Sequence, residues 1–261
     1  MIHSIQIQGG FGKNGGKDQV DKLEMKMGDV VSIVGPTGSG KTTLINDIEL
    51  FARGDTPTKR CIFINGEIPS DDYRYDPSAN PIALITQHTN FLSDMQVKEF
   101  LHVHAMVRTK DKTQVEKMIQ ETISFANQLT GEPIDLHCRM TELSGGQTRA
   151  LLIADATIIC NTPIVLLDEV ENAGINRSRA LELLRQYRKI FVFVTHDPHI
   201  ALLSDYRLVM EEGRIKKIQY STEIEKHCST KVAALDEFLA TLREKLRHGS
   251  LIEEKDFEVI L

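Results

Sequence analysis

The sequence predicts an α/β fold with a mostly parallel sheet at its core, antiparallel strands at its N-terminus and a helical lobe inserted between strands. Three observations carry that prediction. The runs Ile82-Ala83-Leu84-Ile85-Thr86, Ile164-Val165-Leu166-Leu167 and Ile190-Phe191-Val192-Phe193-Val194 alternate with stretches of helical spacing, as parallel strands joined by helical crossovers do. Between the first two runs, residues 96–143 are mostly helical in periodicity, which places a lobe at about residues 91–147. The segment Gly35-Pro36-Thr37-Gly38-Ser39-Gly40-Lys41-Thr42 fits the phosphate-binding pattern G-x-x-x-x-G-K-S/T at each fixed position, after a strand-like run and before a helical one.

In chain order, Ile2 to Gln8, Lys22 to Met27 and Val30 to Val34 read as short strands. Gly9 to Gly16 is a glycine-rich loop, and a dinucleotide-binding reading of it is weak because no clear helix follows. Thr43 to Ile48 has helical spacing. Lys59 to Glu67 reads as a strand ending in an Asn65-Gly66 turn, and Pro69 to Pro81 as a polar surface loop. Val97, Phe100 and Leu101, then Val115, Met118, Ile119, Ile123 and Phe125, recur near helical spacing, and Pro133 interrupts the pattern. Helices are predicted over Arg149 to Ile159 and Ser178 to Tyr187, and a hairpin over Arg207 to Ile215. The tail carries an amphipathic helix, Lys231 to Arg247, with Val232, Leu235, Phe238, Leu239, Leu242 and Leu246 on one face and Gly249 as its stop. That face packs on its own domain or, alternatively, meets a second copy or a partner. The resulting boundaries are a nucleotide-handling domain over 1–220 and a C-terminal helical extension over 221–261.

With 261 residues and 41% hydrophobic content, the chain has enough apolar material for one large domain or two small ones. A net charge of −6 argues against broad electrostatic docking on nucleic acid or anionic lipid. Cys61, Cys138, Cys160 and Cys228 are scattered without C-x-x-C spacing, so they read as core or surface thiols in a reducing compartment rather than as metal ligands or disulfides. No run approaches the roughly 20 apolar residues of a membrane span. Met1 to Gln6 lacks a basic-then-apolar signal pattern. The expectation is a cytoplasmic protein without membrane insertion, reaching the inner face of a membrane only through a partner.

The phosphate loop sets the chemistry. Its glycines let backbone N–H groups turn toward a phosphate, and the following helix adds partial positive charge at its N-terminus. Lys41 would reach the β- and γ-phosphates, and the Thr42 hydroxyl, with Thr43 beside it, would face Mg²⁺. Asp168 ends an aliphatic strand and so emerges at the edge of the sheet where such folds bind ligands; Glu169 follows it with a different direction and suits the activation of a water.

Three further segments appear in order: Leu143-Ser144-Gly145-Gly146-Gln147, then Pro163 to Glu169, then Phe191 to Asp197 with Thr195-His196 after the strand. With Gln87 closing the run Ile82 to Thr86, they resemble the signature motif, Walker B strand, switch histidine and Q-loop of the ATP-binding cassette (ABC) ATPases, over roughly residues 1–220. The resemblance implies a P-loop NTPase that binds ATP with Mg²⁺. It gives Gln87 and His196 contacts to the attacking water or γ-phosphate, and Gln87 a place with Thr42 and Asp168 around the metal. Phe11, in the glycine-rich loop, is the aromatic candidate for stacking on adenine, a loop Phe packed on the sheet being the alternative. Ser144, Gly145 and Gly146 would close over a nucleotide held by a second subunit, which implies an ATP-dependent dimer.

The chain departs from the family after Glu169. Val170-Glu171-Asn172-Ala173-Gly174-Ile175 stands where the family has Pro-Thr-Ser-Ala-Leu-Asp, so Ile175 replaces the coupling aspartate and Asn176 follows it. Arg149-Ala150 replaces the usual Gln-Arg pair, and Asp155 a later Arg. The functional expectation is the nucleotide-binding subunit of an ABC transporter with a separate membrane permease. The alternative is a soluble ABC ATPase that assembles or activates a client protein or metallocentre. A partner groove is expected at Phe91, Leu92, Met95, Val97 and Phe100, with Val97 and Phe100 partly filling the core of the lobe.

Overall fold

Three buried strands, Val30–Val34 (β3), Ile164–Asp168 (β6) and Ile190–Val194 (β7), present alternate side chains to opposite faces of one sheet, as the strand period of two requires. Val165, Leu167, Phe191 and Phe193 join one core cluster with Leu151, Ala154 and Leu184 from helices. Ile164, Leu166, Val192 and Val194 join a second cluster with Leu44, Ile48, Ile5 and Ile7. Both faces are covered, which explains why these strands read as continuous apolar runs rather than alternating ones.

The computed structural model describes residues 1–169 and 177–257, apart from the side chains of residues 177–179. An antiparallel sheet combines Ser4–Gln8 (β1), Lys22–Lys26 (β2) and Cys61–Ile64 (β4) in the order β2-β1-β4. The larger sheet has the order β5-β6-β7-β3-β8-β9, adding Ile82–Thr86 (β5), Tyr206–Glu211 (β8) and Arg214–Tyr220 (β9). Its pairs are parallel except β8 with β9. Lys41–Glu49 (α1) follows β3. Val97–Arg108 (α3) and Lys112–Leu129 (α4) follow β5 after the short helix Asp71–Tyr75 (α2) ahead of it, and Gly145–Thr157 (α5) returns the chain to β6. Arg177–Arg185 (α6) precedes β7, Pro198–Leu203 (α7) precedes β8, and Glu223–Arg247 (α8) follows β9.

The departures from expectation have local causes. The segment read as loop around residue 70 forms α2 because the Ser70 hydroxyl accepts from the Asp72 N–H, with two acids in the first turn. Asp197 caps α7 by accepting from the Ile200 N–H, with Pro198 in the first turn. The tail helix begins at Glu223 rather than Lys231, started by a capping box in which Thr222 accepts from Glu225 N–H and Glu225 from Thr222 N–H. Its apolar face is only partly covered. Ser229 is buried against α7, where its carbonyl meets His199, while Leu235, Leu239 and Leu246 stay exposed.

Candidate nucleotide-binding site

Four adjacent parallel strands end along one edge of the larger sheet. Register places Thr86 beside Asp168, Asp168 beside Val194, and Ile33 beside Val194. The sequence candidates therefore leave neighbouring strands side by side: Gln87 from β5, Asp168 and Glu169 from β6, His196 after β7, and the loop from Gly35 after β3. In open α/β sheets this carboxyl edge is where ligands bind.

The loop is shaped for a phosphate. Gly35, Gly38 and Gly40 all have positive φ (155, 78 and 93°). A Cβ at Gly35 would lie 2.4 Å from the Met210 carbonyl oxygen, and one at Gly40 2.7 Å from Gly213 Cα, so both positions demand glycine. A Cβ at Gly38 would face open space. Gly40 caps α1 without a side-chain hydrogen bond, so the first-turn N–H groups have no helical partners. Ser39 N–H donates to the Pro36 carbonyl at 3.1 Å. The Ser39 hydroxyl is buried without a partner among the described residues. The Lys41 ammonium is almost fully buried and donates to the carbonyls of Gly35 (3.0 Å) and Pro36 (3.2 Å), curled back where an anion would draw it out.

A pocket of ≈ 270 Å³ opens over this loop, lined by Lys13, Thr37, Gly38, Gly40, Lys41, Thr42, Thr43, Glu169 and His196. Glu169 takes a left-handed backbone (φ 51°), uncommon for a residue with a side chain, and its N–H donates to the Val194 carbonyl at 3.0 Å. That turn separates its direction from that of Asp168. Oε1 of Glu169 and Nε2 of His196 are 3.8 Å apart. Asp168 is half-buried at the strand end behind them.

Other candidates lie apart from this lining. Gln87 is exposed, its amide 3.1 Å from His88 Nε2. Phe11 is exposed and tied through its backbone to Thr58 and Lys17, and it does not line the pocket. Ser144 caps α5, accepting from the Gln147 N–H while Gln147 accepts from the Ser144 N–H. Ser144 and Gly145 are exposed and, with Gly146, line no part of the pocket over their own phosphate loop. Val170 to Asn176, including Ile175, lie outside the described residues. Of the apolar groove, Val97 is buried and Phe91 and Phe100 pack against the helical core, so only Leu92 and Met95 remain exposed.

Three groupings at or beside the candidate site escaped sequence reasoning. Lys13 lines the pocket, with its Nζ 3.0 Å from the Gly38 carbonyl; a lone Lys inside a glycine-rich loop was its only signal. Arg149, on the first turns of α5, donates to the carbonyls of Gln87 and Gly145 and so joins the Q-loop to the signature helix. Arg60 is fully buried between Asp18 (2.9 Å) and Asp47 on α1 (3.1 Å) and also donates to the Gly213 carbonyl. Asp18 accepts in addition from the N–H groups of Gly10 and Ile215. This cluster fixes the glycine-rich loop, α1 and the β8–β9 turn against one another, and Gly213 in turn donates to the Ser39 carbonyl.

The residues present fit a triphosphate: two lysines, uncapped helix N–H groups and backbone room at Gly38 meet in one opening. They also fit a hard cation, since Thr42, Asp168 and Gln87 offer oxygen donors along the same strand edge.

A family model described as "ABC transporter" matches residues 19–172. The chain is 47% identical to an uncharacterized ABC transporter ATP-binding protein of Methanocaldococcus jannaschii, over all of this chain and 98% of that one. It is 29% identical to a spermidine/putrescine import ATP-binding protein of Nitratidesulfovibrio vulgaris, over 79% of this chain, and spans about half of that relative's length (55%). In fold it is similar to a dimeric ATP-binding cassette in a post-hydrolysis state with ADP and phosphate, with a TM-score of 0.64 at 22% identity, covering 84% of this chain and 99% of that one. The chain belongs to the ABC transporter family, as an ATP-binding subunit that hydrolyses ATP.

Proposed function

We propose that this chain works as one of two ATPase subunits that sandwich two ATP molecules and drive a separate membrane subunit. The observation that carries the reading is the division of the site. Lys41, Glu169 and His196 share one pocket, whereas Ser144 to Gly146, at a helix N-terminus with Ser144 and Gly145 exposed, lie outside its lining. A second copy supplies the missing lid, its Ser144 hydroxyl and the N–H groups of Gly145 and Gly146 meeting the γ-phosphate. Residues 1–220 form the nucleotide-handling unit, residues 91–147 its helical lobe and residues 221–261 an appended helix.

In this reading the N–H groups of residues 38–42 and the ammonium of Lys41 hold the β- and γ-phosphates. Mg²⁺, held by Thr42, Asp168 and Gln87, supplies neutralisation of phosphate charge when bound. The Glu169 carboxylate takes a proton from the attacking water, and His196 orients that water and the γ-phosphate from the neighbouring strand. Gln87 passes the nucleotide state to the lobe, where exposed Leu92 and Met95 meet the membrane subunit. No described helix is long and apolar enough to cross a membrane, so the span comes from another chain in this scheme.

Light scattering tests the sandwich. Glu169→Gln should be a dimer with ATP and a monomer without it, and adding Ser144→Arg should abolish the dimer while nucleotide binding persists. A double variant that still dimerises with ATP refutes the model.

A further inference from the structure

On the side of the core remote from the phosphate loop, three side chains of different donor type converge without any role in the nucleotide site. His104 Nδ1, on α3, is 3.2 Å from both carboxylate oxygens of Asp155 near the end of α5. Cys160 Sγ is 3.6 Å from Asp155 Oδ2. All three donor atoms lie within 4.8 Å of one another, and no other such group of His, Cys and acid donors occurs among the described residues.

We propose that His104, Asp155 and Cys160 form a binding site for a zinc-class divalent transition metal. Metal bonds of about 2.0 Å to N and O and about 2.3 Å to S, at tetrahedral angles, separate the donor atoms by roughly 3.3–3.5 Å. The observed 3.2 and 3.6 Å match that spacing for the two pairs that include Asp155, and the third pair, His104 with Cys160, lies within 4.8 Å and would close on a bound ion. One imidazole, one carboxylate and one thiolate form a mixed N/O/S set that suits zinc or cobalt and disfavours magnesium and calcium. A thiolate and a carboxylate also balance a divalent charge, which a half-buried site requires.

The site is rigid in the way a metal centre needs. The His104 ring packs on Phe100 at 4.3 Å between centroids, and Phe100 on Phe91 at 4.9 Å. Cys160 N–H donates to the Asp155 carbonyl at 2.9 Å, which closes the helix end and fixes the five-residue interval between the two ligands. Asn161 next to it takes a left-handed backbone (φ 48°), held by Lys189 Nζ at 2.7 Å. Cys160, unlike His104 and Asp155, also lines a pocket of ≈ 480 Å³ with Arg108, Met118 and Asn161, so an ion would reach the three donors from the Cys160 side. These ligands share no local pattern, being 51 and 5 residues apart from Asp155, so cysteine spacing could not reveal them.

The bound metal would tie α3 to the end of α5 about 16 Å along the helix from Ser144, at 1.5 Å per residue. It would brace the lobe without touching nucleotide, so the proposal stands or falls independently of the ATPase reading.

The test is titration of the untagged, nucleotide-free full chain with Co²⁺ and then Zn²⁺. One equivalent of Co²⁺ should give thiolate charge-transfer and tetrahedral ligand-field absorption, displaced by Zn²⁺. Cys160→Ser should lose the charge-transfer band, and His104→Ala should weaken Co²⁺ at least tenfold, each with unchanged far-ultraviolet dichroism. Cys228→Ser, at an exposed thiol remote in sequence, should behave as the parent. Should one of the site variants not fold, the parent's Co²⁺ spectrum and the Cys228→Ser control still decide the matter. Absence of a stoichiometric tetrahedral Co²⁺ spectrum in the parent overturns the proposal, as does a charge-transfer band that survives Cys160→Ser or disappears with Cys228→Ser.

Discussion

Nε2 of His196 lies 3.8 Å from Oε1 of Glu169 across the mouth of the phosphate-loop pocket. The separation exceeds a direct hydrogen bond, and both side chains line the opening over the phosphate loop. Neighbouring strands β6 and β7 hold the pair, so neither side chain needs the other to stay in place. His196→Ala should lower ATP turnover about 100-fold, the order expected of a positioned proton-transfer or orienting group, while nucleotide affinity changes little. Steady-state phosphate release and equilibrium titration with a fluorescent nucleotide give the two numbers.

Arg149 should matter for coupling rather than for binding. Its guanidinium joins the Gln87 carbonyl to the Gly145 carbonyl, and its Nε is buried without a partner, so replacement frees the Q-loop from the signature helix. Arg149→Ala is expected to leave ATP affinity within about twofold and reduce hydrolysis roughly tenfold, one charge-assisted hydrogen bond being worth ~1.5–3 kcal/mol. Equal loss of affinity and turnover would remove this role.

Acid should loosen the cluster under the phosphate loop. Burial alone would raise the Asp18 pKa, but hydrogen bonds from Arg60, Gly10 N–H and Ile215 N–H, with the Arg60 charge, outweigh it and hold the carboxyl below its ordinary 3.8. Because the folded value is depressed, its stabilisation is fully present above the ordinary carboxylate range and is lost as pH falls through the folded value. Asp18→Asn should cost about 3 kcal/mol at pH 7, as breaking one partner of a buried pair does. The difference from the parent should shrink as pH falls below 3.8 in chemical denaturation. A constant difference across that window would show that the carboxylate charge is not what holds the cluster.

Leu92 and Met95 remain exposed while Phe91 and Phe100 pack inward, so the proposed partner surface is narrower than the apolar run in the sequence suggests. Changing Leu92 and Met95 together to Asp should spare basal ATPase activity and folding but break co-purification with the native partner. Recovery of that partner in membranes supports transport; a soluble client supports the alternative. Unfolding of the double variant would place both side chains in the core.

The motifs were legible because each is local: most are a strand followed by a short polar segment at the sheet edge, and Leu143 to Gln147 is the capped start of α5. Val30 to Val34 and Ile190 to Val194 begin and end where their aliphatic runs do. Groupings assembled from distant residues were not legible. Arg60, Asp18 and Asp47 belong to three different elements and share no periodicity, and a charged triplet in sequence says nothing of its burial. The early start of α8 was readable from Thr222 and Glu225, which make a capping box, but the polar first turns hide the amphipathic pattern that begins at Val232. Phe11, chosen as the aromatic of its loop, sits outside the pocket lining while Lys13 two residues on is inside it.

The central claim is that Glu169 activates the water that attacks ATP bound at Lys41. A single comparison tests it: MgATP affinity and phosphate release for the parent, Glu169→Gln and Lys41→Ala. Glu169→Gln should bind MgATP normally and hydrolyse it at least about 100-fold more slowly. Lys41→Ala should lose at least about tenfold in affinity itself, since it removes a charged donor to the phosphates. Near-normal phosphate release by Glu169→Gln would contradict the account.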